Sequence, residues 1–150
     1  MIQEPKITWL TCLPSEEEYV ERQELYAGML LAEDTLEVDL QVWNNQYGTE
    51  EVKALEGFNI VMSFDHLEDG ALLKYTKMLV NHSYIIEPIV NNNEAVFKMP
   101  DGFKLAGTIN DGSTKSYDNY MVIKLLLKAP DDAKVKTNDL KTFSLDIVKL

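Results

Sequence analysis

Only one cysteine, Cys12, stands in the 150 residues, so no intrachain disulfide framework forms and no cysteine-rich metal site can be built. That scarcity points to a reducing compartment. Basic residues are also scarce: 14 Lys and Arg against 25 Asp and Glu leave a formal net charge of −11. A chain of that sign repels nucleic-acid backbones and anionic membranes, which argues against phosphate-led binding of DNA or RNA. No stretch approaches the ~18 consecutive apolar residues of a membrane span. Met1 leads into Ile2, Gln3, Glu4, Pro5 and Lys6 without the basic and apolar regions of a secretory signal. The expectation is a soluble, unsecreted chain, in which the sequon Asn81-His82-Ser83 is a chance match. The nucleophile elbow, the phosphate loop and the dinucleotide fingerprint are all missing, and three common enzyme classes lose their motif support with them.

What is present suits one ordinary domain. A chain of this length buries roughly 68–70% of the surface its unfolded form exposes, and an apolar share of 45% beside a charged share of 26% argues against disorder. The charge is unevenly placed. Residues 1–50 hold eleven acids and two bases, 51–100 seven and four, and 101–150 seven and eight. An acidic end and a lysine-rich end can attract each other between copies, head to tail, although solubility alone is the plainer reading of the charge.

The hydrophobic pattern centres on Leu36 to Asp65. Leu36, Val38, Leu40 and Val42 alternate with Glu37, Asp39 and Gln41, and Phe58, Ile60, Met62 and Phe64 alternate with Asn59, Val61 and Ser63. Period-two alternation buries one face of a strand and wets the other, so an antiparallel sheet is expected here, with Asn44 to Gly48 as the break. Thr49 to Gly57 reads as loop or a single helical turn. Upstream, Ile7, Trp9 and Cys12 suggest an edge strand. Ser15 with Glu18 forms a capping box and Glu16 and Glu17 suit a helix dipole, which predicts a helix to about Gln23, followed by a strand over Leu25 to Leu31. Downstream, Ala71 to Val80 stays open between helix and strand. Ser83 to Val90, carrying Pro88, reads as an edge strand or its end. Glu94 to Met99, Phe103 to Ile109, Tyr120 to Lys128 and the stretch around Phe143, Leu145 and Ile147 complete the strands, with a tight turn at Pro100-Asp101-Gly102. The fold class is mainly β: an antiparallel β-sandwich with a short N-terminal helix, one domain over residues 1–150.

Few residues offer chemistry, and no catalytic, cofactor or metal site is assigned. His66 with Glu68 and Asp69 lacks ligand spacing, His82 is isolated, and Cys12 reads as a small core residue. Asp101, Asp111 and Asp118 fit turns better than a calcium loop. Two groups stand out as interaction residues. One is the acidic patch Glu16, Glu17, Glu21 and Glu24, set against Lys124, Lys128, Lys134 and Lys136 on another copy. The other is Trp43 and Tyr47, with Tyr117 and Tyr120, aromatics near loops that can stack on sugars or anchor a partner, or simply pack the ends of the domain.

The stretches V-D-L-Q-V-W-N-N-Q-Y (Val38 to Tyr47) and M-S-F-D-H-L-E-D-G-A-L-L-K-Y (Met62 to Tyr75) resemble auxiliary virion proteins of tailed bacteriophages, the small β-sandwich ring, collar and connector proteins, crAss-like phages included. The resemblance carries no diagnostic motif and transfers no functional residue. It implies a non-enzymatic, multicopy component of the virion, assembled in the host cytoplasm, whose surfaces bind copies of itself and neighbouring virion proteins. Two other expectations stand beside it: a carbohydrate-binding module using Trp43, Tyr47 and the Asn110 to Tyr120 loop, and an acidic nucleic-acid mimic that inhibits a host protein.

Overall fold

The computed structural model describes residues 2–13, 16–26, 35–64, 76–91, 94–115, 118–128 and 142–150. The His66 cluster, Tyr117, Lys134 and Lys136 lie outside the described residues, and of Glu24 and Lys128 only the backbone is described.

The described elements are all strands: β1 (Ile7–Cys12), β2 (Val20–Glu21), β3 (Glu24–Tyr26), β4 (Thr35–Asn44), β5 (Leu55–Glu56), β6 (Phe58–Phe64), β7 (Lys77–Val80), β8 (Tyr84–Ile86), β9 (Ile89–Asn91), β10 (Glu94–Lys98), β11 (Lys104–Leu105), β12 (Tyr120–Lys128) and β13 (Thr142–Lys149). They form a six-stranded sheet in the order β2-β1-β4-β12-β7-β8, a five-stranded sheet in the order β3-β13-β6-β10-β9, and the pair β11-β5. All paired strands run antiparallel.

Alternation decides which residues the sheets bury. Val38, Leu40 and Val42 of β4, Met121, Ile123, Leu125 and Leu127 of β12, and Met78 and Val80 of β7 join Phe58, Ile60 and Met62 of β6, Ala95 and Phe97 of β10, and Leu145 of β13 in one core cluster. Burying each of the larger of these side chains stabilises the fold by about 1.5–3 kcal/mol relative to exposure. β4 and β6, neighbours in the hydrophobic pattern, do not pair with each other. β4 lies between β1 and β12 and β6 between β13 and β10, so the two meet through the core and not edge to edge.

Several expectations are corrected: β1, expected at an edge, lies between β2 and β4, and Thr49 to Gly57, expected as loop or a helical turn, contains β5. The N-terminal helix is absent from Glu16 to Tyr26, which hold a bend, β2 and β3. Its capping logic gives way because the Glu16 carboxylate accepts the Leu13 N–H at 3.0 Å and grips Arg22, closing a turn where a helix would need those groups aligned along its axis. The strand expected over Phe103 to Ile109 shrinks to Lys104–Leu105, because asparagine side chains bind the following backbone. The turn before it forms as expected: the Phe103 N–H donates to Pro100 O at 3.2 Å, with Gly102 at φ 86°.

Candidate functional site

Each sheet begins and ends with a short strand, and one continuous segment supplies both strands at each side. On one side β2 ends the first sheet and β3 the second, linked by Arg22 and Gln23; on the other, β8 and β9 do the same, linked by Glu87 and Pro88. The edge strand expected over Ser83 to Val90 is found as two, β8 and β9, separated at Pro88 and placed in different sheets. Their chemistry differs between the sides. Tyr84, Ile85 and Ile89 are 50%, 71% and 53% exposed, with Ile85 on the outer face of the first sheet and Ile89 on the outer face of the second. The opposite edge exposes Val20 and Tyr19 among Glu17, Glu18 and Glu21. Short strands and a proline limit pairing at such edges, yet the outer sides of β8 and β9 pair with no described strand.

At one end of the sheets, asparagines bind the loops. Asn44, buried, accepts the Lys6 N–H at 3.0 Å and donates to Lys53 O and Leu105 O at 3.0 and 3.2 Å. Asn45, at φ 61°, donates to Glu50 O and Gly107 O at 2.8 and 3.0 Å. Asn119 donates to Asn44 O, Ala106 O and Thr108 O and accepts the Thr108 hydroxyl at 2.8 Å. Asn110 accepts N–H groups from Tyr47 and Gly112. Side-chain amides satisfy backbone groups of the loops and of the adjoining ends of β4 and β11. Asp111 accepts the Ser113 N–H at 2.9 Å, holding its carboxyl below the usual range; it serves a turn, as its sequence context suggested.

That platform displays Tyr47, 66% exposed, but not Trp43. The Trp43 ring is fully buried on the face of β4 away from the core, stacked on Tyr120 at 4.5 Å and 18°, with its Nε1 donating to Gln41 Oε1 at 3.0 Å. Tyr19 also hydrogen-bonds Gln41, and burial, then Asp39, pushes its hydroxyl above the ordinary value. Trp43 thus has no free face for a sugar, which removes the centre of the carbohydrate expectation.

The charged candidates are placed as follows. Glu16 faces Arg22 at 2.6 Å, which pulls its carboxyl down to about 2. Glu17 and Glu21 are exposed on a bend and on β2, so the helical acidic face expected for a nucleic-acid mimic does not form. Lys124 lies mid-sheet at 3.9 Å from Glu37 of the same chain. No two of these are joined into a common site. What sequence reasoning missed is the asparagine network, whose members looked like turn residues; their burial depends on partners 61 to 75 residues away.

Among the described residues, no group of three His, Cys, Asp or Glu stands close enough to hold a metal, and no helix is long and apolar enough to cross a membrane. A cleft of about 320 Å³ opens between β1 and β13, lined by Ile7, Trp9, Leu55 and Ile147 with Glu4 and Lys149 at its rim. No protein-family model, curated protein or solved structure matches the chain.

Proposed function

We propose that this chain is a non-enzymatic structural protein of a phage particle, a two-sheet antiparallel β-sandwich that assembles in several copies as a ring, collar or connector component. Its partners are copies of itself and neighbouring virion proteins, without direct contact to nucleic acid or membrane; its place is the virion, after assembly in the host cytoplasm. The observation that supports this most is the unlike character of opposite sides, one with exposed apolar Tyr84, Ile85 and Ile89 on β8 and β9, the other acidic around Glu17, Glu18 and Glu21. Unlike surfaces on opposite sides join copies head to tail, and such contacts generate rings when the rotation closes. The electrostatic pairing of an acidic helix with lysines gives way to apolar edge contacts, since Glu16 is held by Arg22 and Lys124 faces Glu37.

Native mass spectrometry and electron microscopy of the purified chain test this reading. Closed particles at a fixed multiple of 17.1 kDa are expected. A monomer that neither self-associates nor binds any virion protein contradicts it.

A further inference from the structure

Tyr47 is displayed in a strained backbone conformation. Its φ of 59° lies in the left-handed region, which a bulky side chain rarely takes, and Asn45 has φ 61° two residues earlier. Strain of this kind persists where the surroundings over-determine it, and it collects at functional positions. Here Asn110 supplies the hold: its Oδ1 accepts the Tyr47 N–H at 3.2 Å and its Nδ2 donates to Asn45 O at 2.7 Å. The Tyr47 ring rests on Gly112, whose N–H also donates to Asn110 Oδ1; a Cβ at Gly112 would stand 2.1 Å from Tyr47 Cε1. One side of the ring is thus seated on glycine, and the ring is otherwise open to solvent at 66% exposure. A shallow hollow of about 690 Å³ begins at the next residue, Gly48, and is lined by Thr49, Ile109, Asp111, Ser113 and Lys115.

We propose that Tyr47 and this hollow bind a neutral saccharide, one sugar ring stacked on the tyrosine and neighbouring hydroxyls bonded in the hollow. A pyranose presents an apolar C–H face, which suits the face of an aromatic ring, and hydroxyls that both donate and accept. The hollow offers both kinds of partner: the Asp111 carboxylate accepts, the Lys115 ammonium donates, and the Thr49 and Ser113 hydroxyls do either. Ile109, 60% exposed, adds an apolar patch for a C–H surface or a methyl group. Charge turns away phosphate-bearing ligands, since Asp111 stands in the hollow, exposed Glu50 and Glu51 follow Thr49, and the chain carries −11. Tyr47 and Ile109 alone are too small for the apolar core of a stable protein interface, which takes about 800 Å² from each partner. Buried Trp43 takes no part. The site does not depend on the assembly reading. β4 is an interior strand of its sheet, so the loop after it lies at the end of the sheets and not on the sides that carry β2, β3, β8 and β9. Copies joined through those sides would present several such sites on one particle, which raises avidity for a glycan-coated surface.

An array of neutral, sialylated and sulfated glycans, followed by calorimetric titration of the neutral oligosaccharide that gives the strongest signal, tests this on the full chain. Binding of neutral glycans is expected, weakened about tenfold or more by Tyr47→Ala, kept by Tyr47→Phe, and unchanged at about 0.5 M salt because no ligand charge is screened. Asp111→Ala should weaken it as well, through lost hydrogen bonds to the sugar. Tyr47 and Asp111 are exposed, and circular dichroism of the variants checks that the fold is kept. Three results overturn the site: no neutral glycan bound, binding that Tyr47→Ala leaves unchanged, or binding confined to anionic glycans and lost in salt. Each is read equally on a monomer and on an oligomer, so failure here leaves multicopy assembly standing.

Discussion

Glu16 and Arg22 meet in a two-bond fork, Oε1 to Nη1 and Oε2 to Nη2, both at 2.6 Å. Such planar, charge-assisted pairs are stronger than neutral hydrogen bonds and fix geometry. The fork holds the chain in a turn between β1 and β2, and this turn brings Gln23 to the seam between the sheets.

The fork gives stability a dependence on pH. Arg22, followed by the Leu13 N–H, lowers the Glu16 carboxyl from 4.5 to about 2, so the folded state prefers it charged. Its contribution is present above pH 4.5 and fades as the pH falls toward 2. Urea unfolding midpoints across that window are expected to fall less steeply for Glu16→Gln than for the parent.

Trp43 is a structural residue. Trp43→Ala removes a fully buried ring and its Tyr120 stack and should destabilise the fold by about 3–5 kcal/mol. Calorimetry checks the loss. Iodide should barely quench Trp43 fluorescence in a Trp9→Phe background, whereas free quenching would place the ring in solvent.

Asn119→Ala deletes the donor to three carbonyls and the acceptor for Thr108. A loss of about 2–3 kcal/mol is expected in chemical denaturation. Amide hydrogen exchange should quicken from Ala106 to Asn110 before the core strands are affected.

Gly107 marks a close approach of two backbones. A Cβ there would stand 2.0 Å from Val52 O, although the Val52 N–H bonds Gly107 O at 2.9 Å. Gly107→Ala should force the two backbone segments apart and cost about 1–3 kcal/mol, read as a lowered melting temperature.

The strands were legible wherever one face is buried and the other wet. β4, β6, β12 and β13 follow their alternating residues, because period-two burial is a local property written in consecutive positions. Pairing was not legible: β4 and β6 are adjacent in sequence yet sit in different sheets, and which strand lies beside which depends on contacts far along the chain. Ser15 and Glu18 resemble a helix start, but Arg22 gives Glu16 a stronger partner than a helix terminus offers. Asn44 and Asn119 looked like turn residues because burial of an amide depends on distant carbonyls. Of the interaction residues, Tyr47, Glu17 and Glu21 are exposed, while Trp43 is buried.

The most direct test of assembly through opposite edges is the solution mass by light scattering at low and at about 0.5 M salt, where charge contacts are screened within a few Å. A fixed multiple of 17.1 kDa at both salts, lost in Ile85→Lys, is the expected result. A mass of 17.1 kDa at both salts contradicts assembly, and an oligomer that dissolves at high salt contradicts the apolar edge as its contact.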